Sequence, residues 1–456
     1  TYAGLGGRSG QTMVKNTREY HPNDLGVISE ATVDSSDVGI NVYTSANPNL
    51  TSVRGITRSF DASKDGNASL LSTSALLSVA SDSDDSKRLG FVSIQNEHTL
   101  ACSGYEVLPV RTGAESVIAN RTSEVFATTA KQDGKVTNIT DKTITITYKD
   151  GSTETTILGT YYAAAAGLTI PQVIVTDLKL GSTVKYGDAI SWNKDFFTKD
   201  IYSGTVNYKA GLMANVVQYE VAMTNEDAST VSARLAAKLS TRTTKVRDII
   251  LTFEQSISDL VKVGDHVEST DSLCLIEDAV SAGSAQFDKA SLDTLKLLGS
   301  QTPFAKVKGV VERIDVLYNG DLEDMSDSLR ALASAYNKRL AAECKAIGKT
   351  VYTGEVDEGF RVDNNPLLLD TLVIRIYITS DISFGVGDKL VYAGPMKSVV
   401  GDVLPEPIIA EDGTEIDVEF GRRGIINRVV NSPDMIGTTA TLLEIIGKKA
   451  FEIYSK

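Results

Sequence analysis

The stretch "VGDKLVYAGPMKSVV" (386–400) places one lysine on each side of a Gly-Pro pair. Lys389 and Lys397 are eight positions apart in it. Two mobile ammonium groups near each other suit a phosphate or a nucleic-acid 3′ end, because they act as point charges and need no bidentate geometry. The alternative, which the spacing alone favours, is a pair of solvated lysines on a hairpin.

The beginning of this stretch belongs to a short element that occurs three times: "YGDAI" (186–190), "VGDHV" (263–267) and "VGDKL" (386–390). Each copy predicts a tight turn that leads into a strand. The glycine supplies an unusual backbone angle, and the aspartate accepts hydrogen bonds from amides of the turn. This pattern favours several small barrel-like β units over one long repeat.

The composition is that of an ordinary globular chain of about three domains: 456 residues, 42% apolar and 23% charged. A formal charge of −14 argues against a general polyanion binder but leaves room for a local basic groove. Three widely spaced cysteines predict a reducing compartment. The histidines have no metal-ligand spacing, so we expect no structural zinc. No signal peptide or membrane-length apolar run is present, so we expect neither secretion nor membrane insertion.

Periodicity predicts a few further elements. We expect one helix over residues 69–85, a β-hairpin over 131–160, a strand over 371–381 and a short helix after "NED" (225–227). The clearest helix is 321–347, where apolar residues recur every three or four positions. The C-terminal tail is also helical in pattern.

Adjacent acids, Glu226 and Asp227, lie at the predicted helix start, where carboxylates orient metal-bound water or stabilise the helix N-terminus. Downstream, Arg234, Lys238 and Arg242 recur every four residues and lie on one side if the helix reaches Arg242. Such a row could follow a nucleic-acid backbone. The alternatives are a capped helix for the acids and a solvated helix face for the row.

The stretch "LVKVGDHVESTDSLCLIED" (260–278) resembles half of a biotinyl or lipoyl carrier motif. Val280 occupies the position at which such carriers need a lysine to attach the cofactor. The match therefore predicts a barrel-sandwich fold without carrier activity. No P-loop, dinucleotide fingerprint, nucleophile elbow or zinc-protease motif occurs.

Several stretches, taken in chain order, resemble the second half of the β subunit of multisubunit RNA polymerase. They are "REYHPNDLGVISEATVDSSDVGINVY" (18–43), "DDSKR" (84–88), the strand run 103–146, "NEDASTVSAR" (225–234), "VGDKLVYAGPMKSVV" (386–400) and "GIINRVV" (424–430). The lysine spacing of the family is kept. The Gly-Arg-His-Gly core between the family's lysines is replaced by Val391, Tyr392, Ala393 and Gly394.

The resemblance implies roles for individual residues in nucleotidyl transfer. Lys389 and Lys397 would neutralise the RNA 3′-terminal or α-phosphate region, and Arg88 and Arg428 would hold the incoming triphosphate. Glu226 and Asp227 would act on a second Mg²⁺ through water. The family's catalytic acidic triplet is absent, so a β′-like partner would hold the magnesium. Arg234, Lys238 and Arg242 remain candidates for nucleic-acid binding.

The resemblance also implies a mixed α+β, β-rich fold with a double-psi β-barrel and barrel-sandwich-hybrid and flap-like modules. The predicted regions are 1–105 (irregular, fork- or lobe-proximal), 106–205 (β-rich, barrel-sandwich-like), 206–243 (first part of the double-psi barrel), 244–380 (flap-like, with helix 321–347) and 381–456 (second part of the barrel and a C-terminal helix).

The divergence and the missing first half of β indicate a split β subunit of the kind that large (jumbo) bacteriophages encode. Its expected partners are β′-like subunits, an N-terminal β-like subunit, a promoter-specificity factor, DNA, RNA and nucleoside triphosphates, with no membrane. The expected location is the cytoplasm of an infected bacterium, with packaging in the virion left open. Two alternatives remain: a β-rich virion structural protein, and a carrier domain with a swinging arm on Lys397.

Overall fold

A computed structural model describes residues 7, 9–33, 36–165, 168–209, 211–278, 301–347, 350–357 and 359–455. The prediction for Val280 lies outside these residues. The chain is mixed α and β, rich in β-structure and dominated by antiparallel pairing, as predicted. It divides into two compact units: a first unit of 1–132, 185–241 and 383–456, and a second unit of 133–184 and 242–382.

The strands of the described residues are, in chain order, β1 Ile28–Thr32, β2 Val42–Thr44, β3 Ala127–Thr129, β4 Gly134–Ile139, β5 Thr143–Tyr148, β6 Thr153–Ile157, β7 Gly159–Ala165, β8 Leu168–Val175, β9 Thr183–Val184, β10 Ala189–Asn193, β11 Phe197–Lys199, β12 Val206–Tyr208, β13 Val216–Gln218, β14 Ala228–Ser232, β15 Thr241–Thr252, β16 Ser256–Ser258, β17 His266–Val267, β18 Leu275–Glu277, β19 Gly309–Asn319, β20 Arg361–Val362, β21 Asn365–Pro366, β22 Thr371–Ile382, β23 Lys389–Tyr392, β24 Met396–Leu404, β25 Ile408–Ile409, β26 Glu415–Ile416 and β27 Val418–Phe420. The α-helices are α1 Thr73–Leu77, α2 Ser86–Glu97, α3 Ala233–Lys238, α4 Asp327–Ile347, α5 Arg422–Arg428 and α6 Ser432–Tyr454.

The first unit is organised around a five-stranded sheet with the order β13-β27-β14-β24-β23. Two of its pairs are parallel, β13 with β27 and β14 with β24, whereas β14 with β27 and β23 with β24 are antiparallel. Val231, Met396, Val400, Phe420 and Ile425 are buried together under this sheet. Residues 206–241 and 383–456 therefore share one core although about 140 residues separate them in sequence.

All three Gly-Asp turns have the predicted geometry. Gly187, Gly264 and Gly387 have positive φ angles of 85°, 100° and 90°. The following aspartates, at 188, 265 and 388, each accept a hydrogen bond from the backbone amide three residues earlier, at 2.8, 2.7 and 2.9 Å. Local sequence alone determines this turn, because the bond that closes it lies within four residues.

The second unit consists of a sheet covered by a long helix. Its strands have the order β17-β19-β22-β15-β8, with β7 beside β8, and a separate four-stranded sheet has the order β6-β5-β4-β9. Helix α4 was predicted over 321–347, but it begins at Asp327, because Leu322–Asp324 form a separate 3₁₀ turn. Its inward face follows the predicted periodicity and contributes buried Leu329, Ala333, Tyr336 and Leu340 to the core. β22 is buried along most of its length, so it pairs and packs on both faces.

The helix predicted directly after "NED" is wrong in its position. Residues 228–232 form strand β14, and the helix begins only at Ala233, where the Ser232 hydroxyl accepts a hydrogen bond from the Leu235 amide at 3.1 Å. Thr230 and Val231 are β-branched and buried between two neighbouring strands. Tertiary pairing therefore outweighs the helix-forming tendency of the flanking residues.

Two further helix predictions are too long. Residues 69–85 contain the short α1 and a 3₁₀ turn at Ser81–Ser83 in place of one helix. Helix α3 ends at Lys238 and Arg242 lies on strand β15, so the helical row of Arg234, Lys238 and Arg242 does not form. Among the described residues, no helix combines the length and the apolar character needed to cross a bilayer.

Candidate functional site

Lys389 and Lys397 project from the same face of the β23–β24 hairpin. Lys389 pairs with Val399 and Val391 with Lys397, so the two lysines are diagonal neighbours with Cβ atoms about 7–8 Å apart. Both side chains are exposed, whereas Met396 and Ser398 between them point into the core. Within the described part of the chain neither ammonium group has an ion-pair partner, which leaves both available to an anion.

The loop that precedes β14 is attached to the strand that carries Lys397. The carbonyl of Asp227 accepts hydrogen bonds from the Ser398 hydroxyl at 2.7 Å and from the Val399 amide at 2.9 Å. Ser398 also contacts Ser229 through a hydroxyl–hydroxyl bond of 2.9 Å. Because successive Cα atoms are about 3.8 Å apart, the backbones of Lys397 and Asp227 lie within roughly 12 Å of each other.

Glu226 and Asp227 are consecutive residues with left-handed backbone angles, φ 51° and 69°. Non-glycine residues rarely adopt this conformation, which costs about 1–2 kcal/mol per residue. The hydrogen bonds to Ser398 and Val399 hold the loop in this form. Such strain is common where a side chain must point in a set direction.

Asp227 forms a bidentate ion pair with Arg428, the last residue of α5. Both terminal nitrogens of the guanidinium donate to the two carboxylate oxygens. Hydrogen bonding to Asp227 raises the pKa of Arg428 above its ordinary value, against the opposing effect of burial. Both side chains are partly buried, so this pair is screened less than a surface pair.

Arg88, on the first turn of α2, lies beside this pair. Burial lowers its pKa, and the positive charge of Arg428 lowers it further, whereas the carboxylates of Asp227 and Asp85 oppose these effects. The Arg88 guanidinium lies over the Phe91 ring at 5.8 Å and has no ion-pair partner among the described residues. Two arginines and two aspartates therefore form a common electrostatic cluster.

The segment that leads into α2 is fixed to the segment that follows α5 by one backbone hydrogen bond and two side-chain–backbone hydrogen bonds. The Asp84 carboxylate accepts from the amides of Asn431 and Ser432 at 2.7 and 2.8 Å. The Asp85 amide donates to the Val429 carbonyl at 3.2 Å. These contacts explain how Arg88 reaches Arg428 across more than 300 residues of chain. Asp84 was not predicted as a site residue, although it is the first residue of the stretch "DDSKR" that carries part of the resemblance.

Gly424 also supports the site and was not predicted. A Cβ atom at this position would lie 3.2 Å from Arg428 Nη1, 3.4 Å from Asp227 Oδ1 and 3.4 Å from Met396 Cε. The ion pair therefore packs directly on the α5 backbone. The only sequence signal was a glycine inside a helix, four residues before the arginine.

The chain's own carboxylates provide little for direct metal binding. Glu226 is exposed and has no partner in the described part of the chain, and both oxygens of Asp227 are bound to Arg428. Among the described residues, no group of three or more His, Cys, Asp and Glu side chains could hold a metal ion.

The three residues of the predicted basic row lie on two different elements, helix α3 and strand β15. The Arg234 guanidinium bonds Asp417 at 2.6 and 3.1 Å and Glu415 at 3.1 Å, and these bonds raise its pKa. Lys238 is exposed at the end of α3, and Arg242 belongs to the second unit. Arg234 therefore has a structural role in holding the β26–β27 connection to α3.

No protein-family model matches the chain, and no curated protein is significantly similar to it in sequence. Its function must therefore be argued from the residues themselves. The first unit brings together the segments around residues 88, 227, 397 and 428, which lie far apart in the sequence.

Proposed function

We propose that the chain is the C-terminal, β-like portion of a DNA-dependent RNA polymerase, of the split kind that large bacteriophages encode. The observation that carries the proposal is the convergence of Asp227, Lys397, Arg428 and Arg88 in one unit. The resemblance implies that all four belong to one phosphate-handling site.

The topology of the first unit supports the double-psi barrel that the resemblance implies. Its sheet interleaves two parallel pairs, β13 with β27 and β14 with β24, and each pair joins a strand from 206–241 to one from 383–456. A barrel built from two remote halves of the chain needs pairing of this kind. In the same proposal, residues 244–380 of the second unit, with helix α4, correspond to the flap-like module.

In this proposal the chain supplies cations for nucleotidyl transfer. The exposed ammonium groups of Lys389 and Lys397 neutralise the RNA 3′-terminal and α-phosphate region, where the 3′ hydroxyl attacks. Arg88 and Arg428 bind the β- and γ-phosphates, where negative charge accumulates as pyrophosphate leaves. Magnesium supplied by the partner would stabilise the attacking and leaving oxygens. Glu226 and Asp227 would orient water toward it.

The resemblance implies the partners in this proposal. A β′-like subunit would provide the carboxylates that bind magnesium directly, and an N-terminal β-like subunit would join this chain in the enzyme. A promoter-specificity factor would dock on the flap-like module. DNA, RNA and nucleoside triphosphates complete the assembly, in the cytoplasm of an infected bacterium or in the virion.

The test is RNA chain elongation by the assembled enzyme, purified with its co-expressed partner subunits. K389A and K397A should each lower the elongation rate by orders of magnitude without loss of assembly, since both side chains are exposed. K262A is a matched control, because Lys262 is an exposed lysine beside the equivalent Gly-Asp turn of the second unit. Its rate should stay at the wild-type value.

Two results would contradict the proposal. Wild-type elongation by both K389A and K397A would remove the lysines from the site. RNA synthesis by the isolated chain would contradict a site that two subunits share. Recovery of the chain only with capsid or tail proteins, and never with a subunit that carries an acidic metal triplet, would favour the alternative of a virion structural protein.

A further inference from the structure

The Arg428 guanidinium, which the proposed function assigns to the incoming triphosphate, is already occupied by an anion of the same chain. Its two terminal nitrogens donate to the two oxygens of Asp227. A guanidinium offers one planar pair of donors in this direction, so a phosphate group cannot use that pair while the carboxylate holds it.

The backbone of Asp227 is fixed independently of Arg428. Its carbonyl accepts hydrogen bonds from the Ser398 hydroxyl and the Val399 amide, and Glu226 and Asp227 are both left-handed. The loop backbone can therefore stay in place while the carboxylate turns toward the arginine or away from it. An Asn side chain would keep this geometry, since Asn is among the residues that best tolerate positive φ.

Arg88 determines which ligands can take the place of the carboxylate. Arg88 has no ion-pair partner within the described residues. Its helix lies against the segment that follows Arg428, because the Asp85 amide donates to the Val429 carbonyl at 3.2 Å and the Asp84 carboxylate accepts from the Asn431 amide at 2.7 Å. If Asp227 left without replacement, the two guanidinium groups would repel each other across a partly buried site. A ligand with several negative charges on connected phosphate groups satisfies both arginines at once, whereas a monovalent anion satisfies only one.

We propose that the Asp227 carboxylate is an exchangeable occupant of this site, displaced from Arg428 when a polyphosphate chain binds across Arg428 and Arg88. The inference rests on the proposed function for the identity of the natural ligand, a nucleoside triphosphate. Asp227 then weakens polyphosphate binding, because the ligand must compete with it. Removing the carboxylate charge should strengthen binding.

The experiment is isothermal titration calorimetry of the full chain with inorganic tripolyphosphate in the absence of magnesium. D227N should bind tripolyphosphate about tenfold more tightly than the wild type. In free energy, this change is slightly less than the contribution of one charge-assisted hydrogen bond. R428Q and R88Q should each abolish binding. D434N is the matched control. It removes the same net charge as D227N, and Asp434 also pairs with an arginine, the neighbouring Arg422, at 3.4 Å. Its affinity should equal that of the wild type.

The exchange is overturned if D227N binds tripolyphosphate no more tightly than the wild type does. It is also overturned if D434N gains as much affinity as D227N. Because R428Q could disturb α5, thermal unfolding of each variant accompanies the titration, and R88Q alone suffices to locate the ligand. The proposed function fails separately: tight D227N binding together with no RNA synthesis by the assembled subunits would keep the exchange and reject the polymerase. RNA synthesis that depends on Lys389 and Lys397, without tighter binding by D227N, would keep the polymerase function and reject the exchange.

Discussion

Asp227 and Arg428 form a bidentate ion pair across 201 residues of sequence. The pair joins the strained loop before β14 to the last turn of α5, and Arg88 lies next to it. It therefore links the two remote halves of the first unit at the same place where the candidate phosphate ligands meet. Because strained backbone and charged side chains are concentrated at this site, a substitution there can raise the stability of the chain and still lower its activity.

The first prediction concerns the exposed residue of the strained loop. E226G should stabilise the chain by up to about 1 kcal/mol, because glycine adopts positive φ without the penalty that Glu226 carries. Thermal unfolding measures the gain. Under the proposed function the same variant should elongate RNA more slowly, since the carboxylate is lost. E226A, which retains the strain and loses the carboxylate, is the control and should show only the second effect.

The second prediction compares two helical glycines. In G447A the new methyl group meets nothing within 4 Å, so better helix propensity should raise stability by about 0.5–1 kcal/mol. In G424A the methyl group would press on Arg428 and Asp227 at 3.2 and 3.4 Å, and this gain should be lost or reversed. Chemical denaturation of both variants gives the two free energies of unfolding to compare. Equal stabilisation by the two would show that the ion pair does not depend on close packing against α5.

The third prediction concerns acid stability. Hydrogen bonding to the Arg58 guanidinium, and then to the Asp61 amide, holds the pKa of Asp65 well below its ordinary value. A depressed carboxyl pKa contributes stability above the unfolded value near 4, and this contribution is lost as the pH falls below it. The melting temperature of D65N should therefore depend less on pH than that of the wild type between about pH 4 and pH 2.

Asp82 provides the control for that measurement. It is exposed and has no hydrogen-bond or ion-pair partner among the described residues. The melting temperature of D82N should follow the wild-type pH dependence. A D65N profile identical to that of D82N would mean that the Arg58–Asp65 bond does not persist in solution.

The fourth prediction concerns the three free cysteines. Burial raises the pKa of Cys274 to about 11 and also raises that of the half-buried Cys102, while Cys344 is only 3% exposed. The thiolate is the reactive form of a cysteine. A chromogenic disulfide reagent at pH 8 should therefore react slowly with the native chain. In denaturant it should react rapidly with all three thiols. Rapid native labelling that C102S does not remove would show that the cores open readily.

Local features of this protein could be read directly from its residues. The Gly-Asp turns, the β23–β24 hairpin and helix α4 were all predictable, because the forces that determine them act within a few residues. Positive φ at Gly387 and the closing bond to Asp388 need no distant partner. The same is true of the side-chain alternation that exposes both Lys389 and Lys397.

Features that depend on remote partners were missed or misassigned. Residues 228–232 have a helical neighbour and a reasonable cap, yet they form a strand because β24 and β27 are there to pair with them. Arg234 was a candidate for nucleic-acid binding, but Asp417, nearly 200 residues away, holds its guanidinium. Neither partner is visible in a local window of sequence.

The sequence by itself therefore determined the turns, the hairpin with its two outward lysines, and the long amphipathic helix, since each results from backbone preference and periodic burial. Only the tertiary structure decided that Asp227 occupies Arg428, that Arg88 lies beside them and that Gly424 leaves room for the pair. Those relationships arise from hydrogen bonds and charges between segments hundreds of residues apart, whose proximity exists only once both halves of the first unit share a core.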